Sequence, residues 1–302
     1  MANQPRPHWV DKTPLTAEIY DVIAEFVSDP RCKSSETAVS LTSLFLPFTS
    51  TLTDIENVEF LWGTIFWTAS TFFPGATEHW RLLELVRDIQ RIPAPPGDGV
   101  RQDEEANGHE WWVDLPGWER VWADLECDAP ITVPVLNRKG AKQLKPTRFT
   151  PGPWRLDGNK PMSGSAWTNL NAFAAKLYAQ TPLDCLGLIG LQSLLEALEK
   201  DIPPKDLDNV VPAAACWVLS AGKDLLHNSE VYESSIEDMN HSECLGDHRG
   251  DLYNGAKGFS DERWSFWKDR FGNLSKRSEL SPNTRLFASQ ARDEMTCIEV
   301  RK

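Results

Sequence analysis

The chain has 302 residues, 41% of them hydrophobic and 25% charged, enough to bury a full core as one large or two modest domains. A net charge of −13 argues against function through non-specific nucleic-acid or anionic-membrane binding, since both need a basic surface. Thirteen tryptophans predict a wide core or an aromatic-lined cleft, because an indole buries a large area and its N–H needs an acceptor.

Residues 1–12 read as a flexible N-terminus without the apolar core of a signal peptide, which places the protein in the cytoplasm. Thr13-Pro14 opens the first helix, a cap followed by proline where the missing N–H costs nothing. Leu15, Ile19, Val22, Ile23, Phe26 and Val27 then recur at helical spacing until Asp29-Pro30. A second helix from about Ser35 ends before Pro47, and a third spans roughly 54–73. Glu59 and Gly63 interrupt that apolar third helix, so it reads as a core helix and not a membrane span. A fourth, over 76–92, turns Leu82, Leu83, Val86 and Ile89 inward. His79 on it is expected to cap or face solvent.

The Pro- and Gly-bearing stretch 93–110 reads as a linker, after which Trp118, Val121, Trp122 and Leu125 resume the helical period. Six prolines between 128 and 164 forbid a long helix there and predict a long central loop. It holds a basic strip from Arg138 to Arg148 that reads as solvated. Helices follow at about 165–180, 183–200, 210–228, 260–277 and 282–299, with Glu196, Glu199 and Lys200 solvated and Pro212 at a helix start. The expected architecture is all-α: a single domain over 13–302, an irregular bundle of nine or ten helices.

Sites of familiar chemistry do not assemble. Six scattered cysteines with no CxxC pair read as reduced, with Cys185 and Cys216 as small buried hydrophobes. His241, Cys244 and His248 converge on a metal only if their segment is helical, and Gly246 favours a loop, so no metal is assigned. There is no Gly-x-Ser-x-Gly elbow and no glycine-rich nucleotide loop after a strand, and no cofactor is expected.

Two segments carry the candidate ligand contacts. In the run Ser165 to Leu177, Ala166, Leu170, Phe173, Ala174 and Leu177 form an apolar stripe with Asn169 and Asn171 on its flanks. An amide at a helix seam must find partners, either fixing packing or pointing at a ligand. From Gly258 to Phe271, Ser260 is the expected N-cap and Trp264, Trp267 and Phe271 share a face beside Arg263. Those aromatics serve a core, or with the guanidinium they grip an anionic or planar ligand.

These two motifs, with Pro212-Ala213-Ala214-Ala215-Cys216-Trp217 and the Trp112-Val113-Asp114-Leu115-Pro116 block, resemble a family of uncharacterised fungal proteins, the OpdG-like (oxopyrrolidine-cluster) proteins. The resemblance covers most of residues 14–299, and 128–160 has no counterpart in it. It implies a fungal origin and, for some members, a place in secondary-metabolite gene clusters; it brings no catalytic residues to transfer. The expected role is an accessory protein that binds a small-molecule metabolite or a pathway enzyme. The alternative is a cofactor-independent biosynthetic enzyme, a cyclase or an aminoacyl- or peptide-bond-forming catalyst, for example one forming cyclodipeptides.

Overall fold

The computed structural model describes residues 6–7, 9–46, 52–93, 112, 117–126, 129–130, 162–181, 185–227, 249–256 and 258–301. Ten α-helices and one short 3-10 turn occur among them, with no strand. Nearly all of the two expected loop segments, including the Arg138–Arg148 strip, lies outside the described residues, as do His241, Cys244 and His248. The chain divides into two compact units, Met1–Met162 and Ser163–Lys302.

In the N-terminal unit a 3-10 turn, Val10–Lys12, precedes α1 (Pro14–Ser28). Trp9 and Val10 are fully buried with Tyr20 and Trp67, so large apolar side chains anchor part of the segment ahead of residue 13. Thr13 caps α1 as expected: its hydroxyl accepts from Thr16 N at 3.1 Å, and Thr16 returns the bond to Thr13 N. The helix then buries Ile19, Ile23, Phe26 and Val27 along one face.

Helices α2 (Ser34–Ser43), α3 (Leu52–Ser70), α4 (Thr77–Gln90) and α5 (Trp118–Glu126) complete the unit. Arg81 of α4 finishes α1, its guanidinium donating to the carbonyls of Phe26, Asp29, Pro30 and Cys32 while stacking 4.5 Å over the Phe26 ring. The Phe26 carbonyl is one of those a helix end leaves without an intrahelical donor, and Asp29, Pro30 and Cys32 follow α1 directly. Of the two expected placements, cap or solvent, His79 does not take the second: it is fully buried, with Nε2 2.9 Å from the Ala69 carbonyl at the end of α3. That carbonyl also accepts from Phe72 N at 3.2 Å, and the imidazole joins it from the buried side. Gly117, at φ 81°, starts α5 in a conformation open to glycine; a Cβ there would also stand 3.0 Å from Glu59 Cγ.

The C-terminal unit comprises α6 (Gly164–Gln180), α7 (Cys185–Leu198), α8 (Pro204–His227), α9 (Asp261–Leu274) and α10 (Pro282–Val300). Helix α8 is its hub, packed against α6, α7 and α10. The small residues Ala213, Ala214 and Ala215 let neighbours approach. At Gly190 of α7 a Cβ would lie 2.7 Å from Trp217 Cε3, so the two helices meet with the indole pressed on bare backbone.

Pro212 was expected at the start of this helix and instead lies inside it. Pro204 takes the first-turn position, where the Pro203 carbonyl accepts from Asp206 and Leu207 N–H. The interior proline forfeits one backbone bond. Burial of nearly the whole stretch Val210–Val218 stabilises the continuous helix against that loss.

Candidate functional site

The candidate positions in the C-terminal unit form two buried polar nodes linked by α7. The first is on α6, which the sequence draws as a stripe with flanks. Its residues from Trp167 to Tyr178 are all buried except Asn169, which is half-buried. Asn171 is 0% exposed and therefore has to satisfy its amide internally. Nδ2 donates to the Trp167 carbonyl at 2.9 Å, while Oδ1 accepts from Ser193 Oγ at 2.9 Å and Trp217 Nε1 at 2.8 Å. One side chain thus joins α6, α7 and α8.

The second node lies at the end of α7. Glu199, expected to be solvated, is 0% exposed and is met by an equally buried Arg263 at the start of α9. The pair is bidentate, Nε to Oε1 at 2.6 Å and Nη2 to Oε2 at 2.9 Å, the planar fork geometry that arginine supplies. Trp267 Nε1 adds a third donor to Oε1 at 2.7 Å, and Gly250 N a fourth to Oε2 at 3.0 Å. Arg263 Nη1 turns the other way, to the Gly258 carbonyl at 2.9 Å. Its guanidinium sits 5.3 Å from the ring centroids of both Tyr253 and Trp267. Charges out of water survive only with this density of partners.

The segment 249–256 is fastened here through backbone as well. Leu252 N donates to the Glu199 carbonyl at 2.8 Å, and a Cβ on Gly250 would fall 2.3 Å from that oxygen. Position 250 must therefore be glycine for the strand of backbone to seat.

Of the five candidate ligand residues, Arg263 and Trp267 converge on Glu199, and Asn171 belongs to the first node. Trp264 packs its ring edge against Gly222, and its buried Nε1 has no acceptor among the described residues. The Ser260 cap appears as expected, its hydroxyl accepting from Arg263 N at 3.1 Å. Glu199 is the residue that sequence reasoning misplaced. The signal was present: it lies eight residues beyond Leu191 and four beyond Leu195, on the stripe those leucines bury.

Two further buried groups lie between α6 and α8. Burial pushes the Cys216 thiol up to about 12, partly offset by the Lys176 charge, so this cysteine is an inert packing residue. Burial likewise lowers the Lys176 ammonium from its ordinary value. Among the described residues no group of His, Cys, Asp and Glu is arranged to hold a metal, and no helix is long and apolar enough to cross a membrane.

Comparison with known proteins finds a family described as a protein of unknown function, DUF3632, matching residues 62–271. No curated protein and no solved structure matches the chain.

Proposed function

Because the chain belongs to the DUF3632 family, for which no function is known, we propose from its residues that it is a cytoplasmic accessory protein acting by binding a partner enzyme or small metabolite. The proposed setting, following the family resemblance of its motifs, is a fungal secondary-metabolite pathway. The observation that carries the binding reading is the saturation of both polar nodes. Asn171, Arg263 and Trp267 spend their donors and acceptors on Trp167, Ser193, Trp217, Glu199 and Gly258, inside the fold. Groups so engaged hold helices in register and are not poised to exchange protons with a substrate. A small-molecule contact is to be sought at Trp264, whose indole N–H has no acceptor among the described residues, and separately at the motif position Asn169.

One observation favours the enzymatic alternative. Lys176 is an amine lowered by burial, the state in which lysine becomes a nucleophile or base. A cyclase or peptide-bond-forming reaction would use it so. Deleting the gene and comparing extracted metabolites separates the two. A uniform fall in pathway product supports the accessory role; accumulation of one intermediate overturns it in favour of catalysis.

A further inference from the structure

Residues 249–256, the irregular chain that covers the Glu199 node, are lightly held. Only Gly250 and Tyr253 among them are buried; Gly255 is half-buried and the other five are exposed. Two bonds tie the segment to Glu199, from Gly250 N to Oε2 and from Leu252 N to the backbone carbonyl. Its one large contact is the Tyr253 ring, 5.1 Å from that of Phe266 and 5.3 Å from the Arg263 guanidinium. Otherwise the segment bonds to itself. Tyr253 N donates to the Gly250 carbonyl at 3.3 Å, closing a β-turn, and Arg249 Nη1 donates to the carbonyls of Asn254 and Gly255 at 3.3 and 3.0 Å. It can leave as a unit with these bonds intact, and chain with so few buried side chains lies at the low end of local stability.

What stays behind is a formed seat. Glu199 keeps Arg263 and Trp267, three of its four N–H donors, so the ion pair survives the departure. Its Oε2 and its backbone carbonyl become vacated acceptors beside the Arg263 and Phe266 faces. The seat is selective. At the first position it admits only glycine, since a Cβ there would fall 2.3 Å from the Glu199 carbonyl oxygen and 2.4 Å from its Cβ. Three positions further on it takes an aromatic ring. The Tyr253 hydroxyl is buried with no partner among the described residues, so the ring and not the hydroxyl is what the seat holds.

We propose that residues 249–256 are an internal, displaceable occupant of a site that receives a Gly-x-x-aromatic turn from a partner protein. Two backbone N–H groups, the bare glycine and the ring are the recognition elements, and the chain's own segment keeps the site closed until a partner competes. This gives the chemistry of the partner in the accessory-protein reading and rests on that reading. Peptide binding reads no pathway product, so the two fail separately.

The test titrates the full chain with the synthetic peptide Arg-Gly-Asp-Leu-Tyr-Asn-Gly-Ala and follows the Trp267 indole N–H resonance, whose acceptor is Glu199. A tethered segment acts at an effective concentration of about millimolar, so the wild type should leave sub-millimolar peptide unbound. Gly250→Ala expels the internal copy and shifts the Trp267 signal. The peptide is then expected to bind saturably and return that signal to its wild-type position. A peptide with alanine in place of its first glycine should bind at least about tenfold more weakly. Tyr253→Ala, which weakens the internal copy without a clash, gives the same comparison should the first variant not fold. In the wild type, hydrogen exchange at the Gly250 and Leu252 amides is expected to be at least about a hundredfold faster than at the Trp217 amide of α8. The proposal is overturned if a folded variant does not take up the native peptide, if the alanine peptide binds equally well, or if the two amides exchange no faster than Trp217.

Discussion

Glu199 shows what a single residue contributes and why it was hard to read. Followed by Lys200 and Asp201, it sits in a charged run of the kind that normally closes a helix in solvent. Only its phase with Leu191 and Leu195 marks it as buried, and only the fold brings Arg263 to it, 64 residues on. A carboxylate with four N–H donors is stable when complete and costly when halved. Glu199→Ala, which strands the Arg263 charge, is expected to destabilise by about 3–5 kcal/mol in chemical denaturation. The double replacement Glu199→Leu with Arg263→Met should cost distinctly less than that single change. A loss below about 1 kcal/mol for Glu199→Ala would mean the pair is hydrated in solution. Asn171 was legible as a buried amide needing partners; that the partners are Ser193 and Trp217 was not, because nothing local links them.

At the scale of elements, local chemistry was readable and tertiary context was not. Thr13 and Ser260 cap their helices through bonds spanning three residues, so the sequence alone contains both donor and acceptor. The helical periods of α1 and α4 likewise follow from one buried face each. Helix α8 was cut short at Pro212 because proline propensity is a local rule, whereas the surrounding helices that sustain Val210–Val218 are not local. Helix α6, read as an apolar stripe flanked by two amides, is buried from Trp167 to Tyr178 apart from the half-buried Asn169. Since Phe173 is 0% exposed near its middle, Phe173→Ala is expected to cost roughly 3–5 kcal/mol. A near-neutral denaturation midpoint would contradict the enclosed placement of α6.

For the whole molecule, charge is the property that sets what it meets. With −13 net charge and a sequence pI near 5.0, the protein should bind an anion exchanger at neutral pH and pass through immobilised heparin at physiological salt. Retention on heparin would reopen a nucleic-acid role. The family match runs from Trp62 in α3 to Phe271 in α9, across the boundary at 162 and 163. Synthesis of the chain is directional, and the Glu199 node is assembled from its downstream side. Trp267, the most distant donor, follows the carboxylate by 68 residues. At about 5–20 residues per second the ribosome needs roughly 3–14 s to deliver it. During that interval Glu199 stands as a hydrated charge on a stripe of exposed leucines, where a charge opposes aggregation. The residue that ends as the most enclosed acid among the described residues of the C-terminal unit begins as the solubilising guard of α7 on the nascent chain.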